Sequence, residues 1–169
     1  MPREERERRY IAEYMATYFP AGGYSLNVPL GPIPEDIVAR YGVTAGAALW
    51  RPARLRVDAV AWQPNVYWLI EAKVRAPRDA IGSLSVYLDL APRTPDLPNY
   101  EGQEIRGRLV VPWALDWIRD LARERGLDLV EFLPAWVEAY VRSIQDYFTR
   151  DARIAREEKL RLRQLYGLD

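Results

Sequence analysis

The stretch Val57-Asp58-Ala59-Val60-Ala61-Trp62-Gln63-Pro64-Asn65-Val66-Tyr67-Trp68-Leu69-Ile70-Glu71-Ala72-Lys73-Val74 decides how this chain folds. Two β-branched and aromatic runs, 54–62 and 66–74, flank Gln63-Pro64-Asn65, the signature of a hairpin. With Pro64 and Asn65 at its tip, Asp58 lies opposite Glu71 and Arg56 opposite Lys73. Side chains alternate along a strand, so Glu71 and Lys73 share a face and Asp58 joins them from across the hairpin.

Like charges directly opposite one another destabilise a sheet, and burial beside Trp68 or Ile70 adds a desolvation cost. A divalent cation held by Asp58, Glu71 and the backbone carbonyl of Ala72 would offset both. Oxygen-only donors suit Mg2+, with Mn2+ as the alternative. Lys73 is then placed to orient or deprotonate a water that attacks a phosphodiester. The plainer reading makes Glu71 and Lys73 the wet half of an edge strand. Against it, Leu69, Ile70, Ala72 and Val74 form a nearly continuous apolar run, as in a strand covered on both faces.

Composition narrows the chemistry. The 169 residues include no cysteine and no histidine, which removes disulfides, zinc centres, thiol nucleophiles and histidine bases. Lysine appears only at Lys73 and Lys159 among 24 basic residues, so the ammonium at 73 departs from an arginine habit. Formal net charge is zero, which neither supports nor excludes a nucleic-acid partner. No apolar run approaches the about 20 residues that span a bilayer, and residues 1–9 lack the apolar core of a signal sequence. A soluble cytoplasmic protein without membrane association is expected.

Around the hairpin the pattern predicts a helix at 4–19, a strand at 24–30, a short helix at 35–41 and a loop at 42–52. A helix follows at about 77–91, then a loop, a strand at 106–112, a helix at 114–125 and a strand at 127–133, the last three forming a βαβ unit. Residues 134–166 read as one long helix, with Trp136, Tyr140, Ile144 and Tyr147 on one face. Beyond Thr149 it is so charged that it lies at the surface or meets a partner. The expected class is α/β with a mixed central sheet flanked by helices, a core at 1–133 and a helical extension at 134–169.

Val57-Asp58-Ala59-Val60 followed by Trp68-Leu69-Ile70-Glu71-Ala72-Lys73-Val74 resembles the central motif of the PD-(D/E)XK, restriction-endonuclease-like nucleases, including small phage and mobile-element members. The element order over about 4–133 agrees. Val57 stands at the proline position of the family name. The helix after the motif, often Gly-Gln-Leu-x-x-Tyr, is here Gly82-Ser83-Leu84-Ser85-Val86-Tyr87. The resemblance implies a magnesium-dependent DNA nuclease in which Asp58 and Glu71 bind the metal and Lys73 positions water. It also implies accessory roles for Ser83, Tyr87 and an acid from the first helix, taken as Glu13. Arg56, Arg75, Arg78, Arg106 and Arg108 are candidate phosphate ligands. The rival expectation is a catalytically silent member of this fold, docking in a larger assembly such as a phage particle through its charged terminal helix. If phage-encoded, such a protein would reside in the host cytoplasm or the virion.

Overall fold

The computed structural model describes residues 3–75, 77–147, 154, 157–159, 161–162 and 166. It divides into two compact units, Met1–Phe132 and Leu133–Asp169.

In the first unit, helix α1 (Arg3–Tyr18) ends where Pro20 and the pair Gly22-Gly23, both at positive φ, turn the chain into β1 (Tyr24–Leu30). Helix α2 (Glu35–Trp50) leads to the hairpin of β2 (Leu55–Trp62) and β3 (Val66–Ala72). Then come α3 (Pro77–Leu90), β4 (Glu104–Val111), α4 (Asp116–Glu124) and β5 (Asp128–Glu131). The five strands form one sheet in the order β1-β2-β3-β4-β5. The β1–β2 and β2–β3 pairs are antiparallel, while β3–β4 and β4–β5 are parallel. This is the mixed α/β sheet flanked by helices that the sequence predicts.

Strand β3 is central, and every residue from Tyr67 to Ala72 is buried. Leu69 and Leu109 pack with Ile81 and Leu84 of α3 and Ile118 and Ala122 of α4 in one core. Fully burying such a side chain stabilises by roughly 1.5–3 kcal/mol. From α1, Tyr10 and Tyr14 are fully buried and their rings meet Phe132, to whose carbonyl the Tyr10 hydroxyl donates (2.5 Å).

Two local expectations are corrected. Residues 42–50 are helical, not a loop: α2 passes through Gly42 at φ 75°, ψ 170° and resumes. The run 43–50 mixes its alanines with Val43, Thr44 and Gly46, so neither propensity nor an apolar stripe advertises a helix there, and Gly46 packs closely against Ile37. Strand β3 stops at Ala72, so Lys73 lies just past its end, its N–H donating to the Val110 carbonyl of β4 (3.0 Å).

In the second unit, α5 (Ala135–Tyr147) starts at Pro134, whose carbonyl accepts the Val137 and Glu138 N–H groups. Arg142 pairs with Glu138 one turn back (2.5 Å). Ile154, Glu157–Lys159 and Arg161–Leu162 are helical; the rest of the charged stretch lies outside the described residues. Among the described residues no helix is long and apolar enough to cross a membrane.

Candidate active site

The β2–β3 register is Trp62↔Tyr67, Ala61↔Trp68, Val60↔Leu69 and Ala59↔Ile70, which is the pairing read from the turn. It stops one step short of Asp58 and Glu71. There the side chains replace the ladder: Asp58 Oδ2 accepts the Ala72 N–H (3.0 Å), and Glu71 Oε2 accepts the Asp58 N–H (3.4 Å). On the other side of β2 the register also skips Asp58, passing from Leu26↔Ala59 to Val28↔Val57, with the intervening Asn27 at φ 54°. A left-handed residue inside a strand costs energy that asparagine tolerates better than most side chains. Asp58 thus sits where both ladders open, leaving its carboxylate to be directed by side-chain chemistry.

Lys73 is the pivot. Its Nζ lies 3.0 Å from Glu71 Oε1, 3.8 Å from Asp58 Oδ2 and 3.7 Å from Glu7 Oε2 of α1. Burial pushes the Glu71 carboxyl up to about 7, the Asp58 carboxylate adds to the rise, and Lys73 opposes it. Burial also raises Asp58, against the pull of Lys73 and the Ala72 N–H. For Lys73, burial alone would lower the ammonium pKa, but Glu71, Asp58 and Glu7 outweigh it and hold the group protonated. Glu71 is the enclosed member at 5% side-chain exposure, whereas Asp58 keeps 31% open to solvent.

These residues fit a divalent ion. The Lys73 N–H points at β4, and a trans peptide aims its carbonyl the opposite way, so the Ala72 carbonyl faces the β2 side where Asp58 lies. Among the described residues no group of three or more Asp, Glu, His or Cys side chains is placed to hold a metal ion. Two carboxylates and one carbonyl, with water and phosphate completing the shell, are a donor set of the kind magnesium accepts.

Of the expected accessory residues, Ser83 and Tyr87 lie on α3; the Ser83 hydroxyl donates to the Asp79 carbonyl (3.1 Å), and burial raises Tyr87 with a further push from the nearby Glu71 carboxylate. The α1 acid beside Lys73 is Glu7. It continues the stripe of Tyr10 and Tyr14 at helical spacing, whereas Glu13, six residues along, is rotated off that face. An acid at the head of a buried stripe was the available signal.

The arginines divide. Arg56 and Arg75 are exposed close to Asp58 and Lys73 in sequence, and neither forms an ion pair among the described residues. Arg56 pairs in register with Pro29 rather than Lys73, because the hairpin ladder has already ended. Exposed Arg78 meets Asp79 (3.5 Å). Arg106 and Arg108 are not brought to the site. Their register partners are Trp68 and Ile70, so alternation places them on the face opposite Glu71. Arg106 pairs with Glu104 (2.7 Å); Arg108 pairs with Asp128 (2.6 Å) and stacks 3.9 Å over the Trp68 ring.

No family model and no curated protein matches the chain. Among solved structures it is similar to a repair endonuclease from Pyrococcus abyssi, with 21% identity over 77% of this chain and a TM-score of 0.43. The chain spans about half of that protein, 47% of its length. What the carboxylates can do follows from their own geometry.

Proposed function

We propose that this chain hydrolyses phosphodiester bonds in DNA with Mg2+ or Mn2+ held by Asp58, Glu71 and the Ala72 carbonyl, as its resemblance to PD-(D/E)XK nucleases implies. The observation that carries this reading is the convergence of the Asp58 and Glu71 carboxylates on Lys73 at the open end of the hairpin. A divalent ion bound there supplies Lewis-acid stabilisation of phosphate charge and a more acidic water.

The protein's own groups do the rest. Lys73, held protonated by three acids, orients the attacking water by donating to it rather than by taking its proton. Glu71, enclosed and raised, and Asp58, more open, present oxygen donors on one side of that water. Glu7 keeps the ammonium aimed into the site from α1. Arg56 and Arg75 are available to phosphates flanking the cleaved bond.

The test is incubation of the protein with supercoiled, linear and single-stranded DNA, with Mg2+, with Mn2+ and with EDTA. Cleavage that requires the metal supports the reading. Absence of cleavage of all three DNA forms with either metal overturns it.

A further inference from the structure

The exposed tryptophans are not scattered. Trp50, Trp113 and Trp117 are 37%, 43% and 52% exposed, whereas Trp68 is buried and Trp62 packs against the core. Strand β2 begins, and strands β3 and β4 end, at the same edge of the sheet, because β2 runs antiparallel to β3 and β4 parallel to it. Trp50 precedes β2 and Trp113 and Trp117 follow β4, so all three indoles belong to segments entering or leaving the edge that carries Asp58, Glu71 and Lys73. The link is short: the Lys73 N–H is bonded to the Val110 carbonyl, three residues before Trp113, a span of at most about 11 Å.

The segment that bears Trp113 is fixed. The Ala114 N–H donates to Glu131 Oε1 (2.5 Å), Arg119 clamps the same carboxylate (2.7 Å), and Ala114 and Ile118 are buried. Two large aromatic faces are therefore left in water by a rigid mount, and among the described residues neither indole N–H has a partner. Rigid exposed aromatics on the segment that leaves the site's edge of the sheet, with Arg56 and Arg75 exposed two residues from Asp58 and Lys73 in sequence, match what unpaired bases require: flat faces to stack on and cations for the backbone. A paired duplex keeps its bases stacked on one another and cannot use them.

We infer that Trp113 and Trp117 form a base-stacking platform, and that the substrate is a nucleic-acid strand with unpaired bases at the cleavage point. The inference rests on the nuclease reading for its phosphate site, but its binding test does not depend on cleavage.

The test measures anisotropy of a labelled single-stranded oligonucleotide and of the matching blunt duplex against the full chain in EDTA. The single strand is expected to bind more tightly and to quench tryptophan fluorescence. Trp113→Ala and Trp117→Gln should each weaken single-strand binding by roughly tenfold and leave duplex binding unchanged, while Trp117→Phe keeps it. Equal binding by variants and wild type overturns the inference, as does an equal loss for both forms, or a change in self-association by sedimentation without a change in binding. Circular dichroism melts confirm that the variants are folded. Tryptophan-dependent binding without cleavage would sink the nuclease reading alone; metal-dependent cleavage without that dependence would sink this inference alone.

Discussion

Asp58 and Glu71 close the hairpin crosswise: the Glu71 carboxylate accepts the Asp58 N–H at 3.4 Å, and the Asp58 carboxylate accepts the N–H of Ala72, the residue after Glu71, at 3.0 Å. Two acids that ought to repel thus occupy positions a β-ladder would fill with carbonyl groups. The arrangement tolerates the repulsion through Lys73 and pays in raised carboxyl pKa values.

That cost has a pH signature. Glu71 titrates near 7 when folded against an ordinary 4.5, so the native state binds more protons than the unfolded chain between those values. Stability of the metal-free protein should therefore fall as pH rises through this window, by on the order of 3 kcal/mol from this group. Asp58 shifts in the same direction. Lys73, raised rather than lowered, loses its contribution only at alkaline pH. Thermal melts in EDTA at pH 5 and pH 8 check this, and Glu71→Gln should flatten the difference.

Removing the ammonium should be worse than removing an acid. Lys73→Met leaves Glu7, Asp58 and Glu71 without their shared cation and should cost about 3 kcal/mol at neutral pH, read by urea denaturation. No loss would mean that the three contacts contribute nothing to folding.

Asn27 tests whether the interruption beside Asp58 is built in. Asn27→Gly, which accepts φ 54° freely, should leave stability within a few tenths of a kcal/mol, whereas Asn27→Val should lose about 1–2 kcal/mol. Equal stability of the two variants would show that the left-handed backbone is not required.

Gly107 reports on the packing behind β4. An added Cβ would lie 2.6 Å from Leu127 Cδ2 and 3.3 Å from Leu88 Cδ1. Both are ends of flexible leucine side chains that must shift to admit it, so Gly107→Ala should lower stability by no more than about 1 kcal/mol by chemical denaturation.

Much of this was legible in the sequence, for a physical reason. A two-residue tip at Pro64 and Asn65 leaves one register that buries Leu69 and Val60 together, and that register alone brings Asp58 to Glu71. The βαβ unit was readable from the change of period between 106 and 133. Less visible was anything that depends on approach between distant segments. Glu7 reaches Lys73 only through the way α1 lies on the sheet. Arg106 and Arg108 look adjacent to the motif until the parallel register assigns them to the opposite face. The second half of α2 was hidden because Gly42 interrupts the helix and Val43, Thr44 and Gly46 weaken the helix signal after it, with no periodic apolar stripe to restore it.

The most direct measurement is the rate of Mg2+-dependent DNA cleavage by the wild-type chain beside Lys73→Ala and Asp58→Ala, each verified as folded. Both substitutions should reduce the rate by at least about a hundredfold, since each removes a group from the reacting centre. Cleavage that persists at the wild-type rate in either variant would contradict the assignment of this hairpin as the active site.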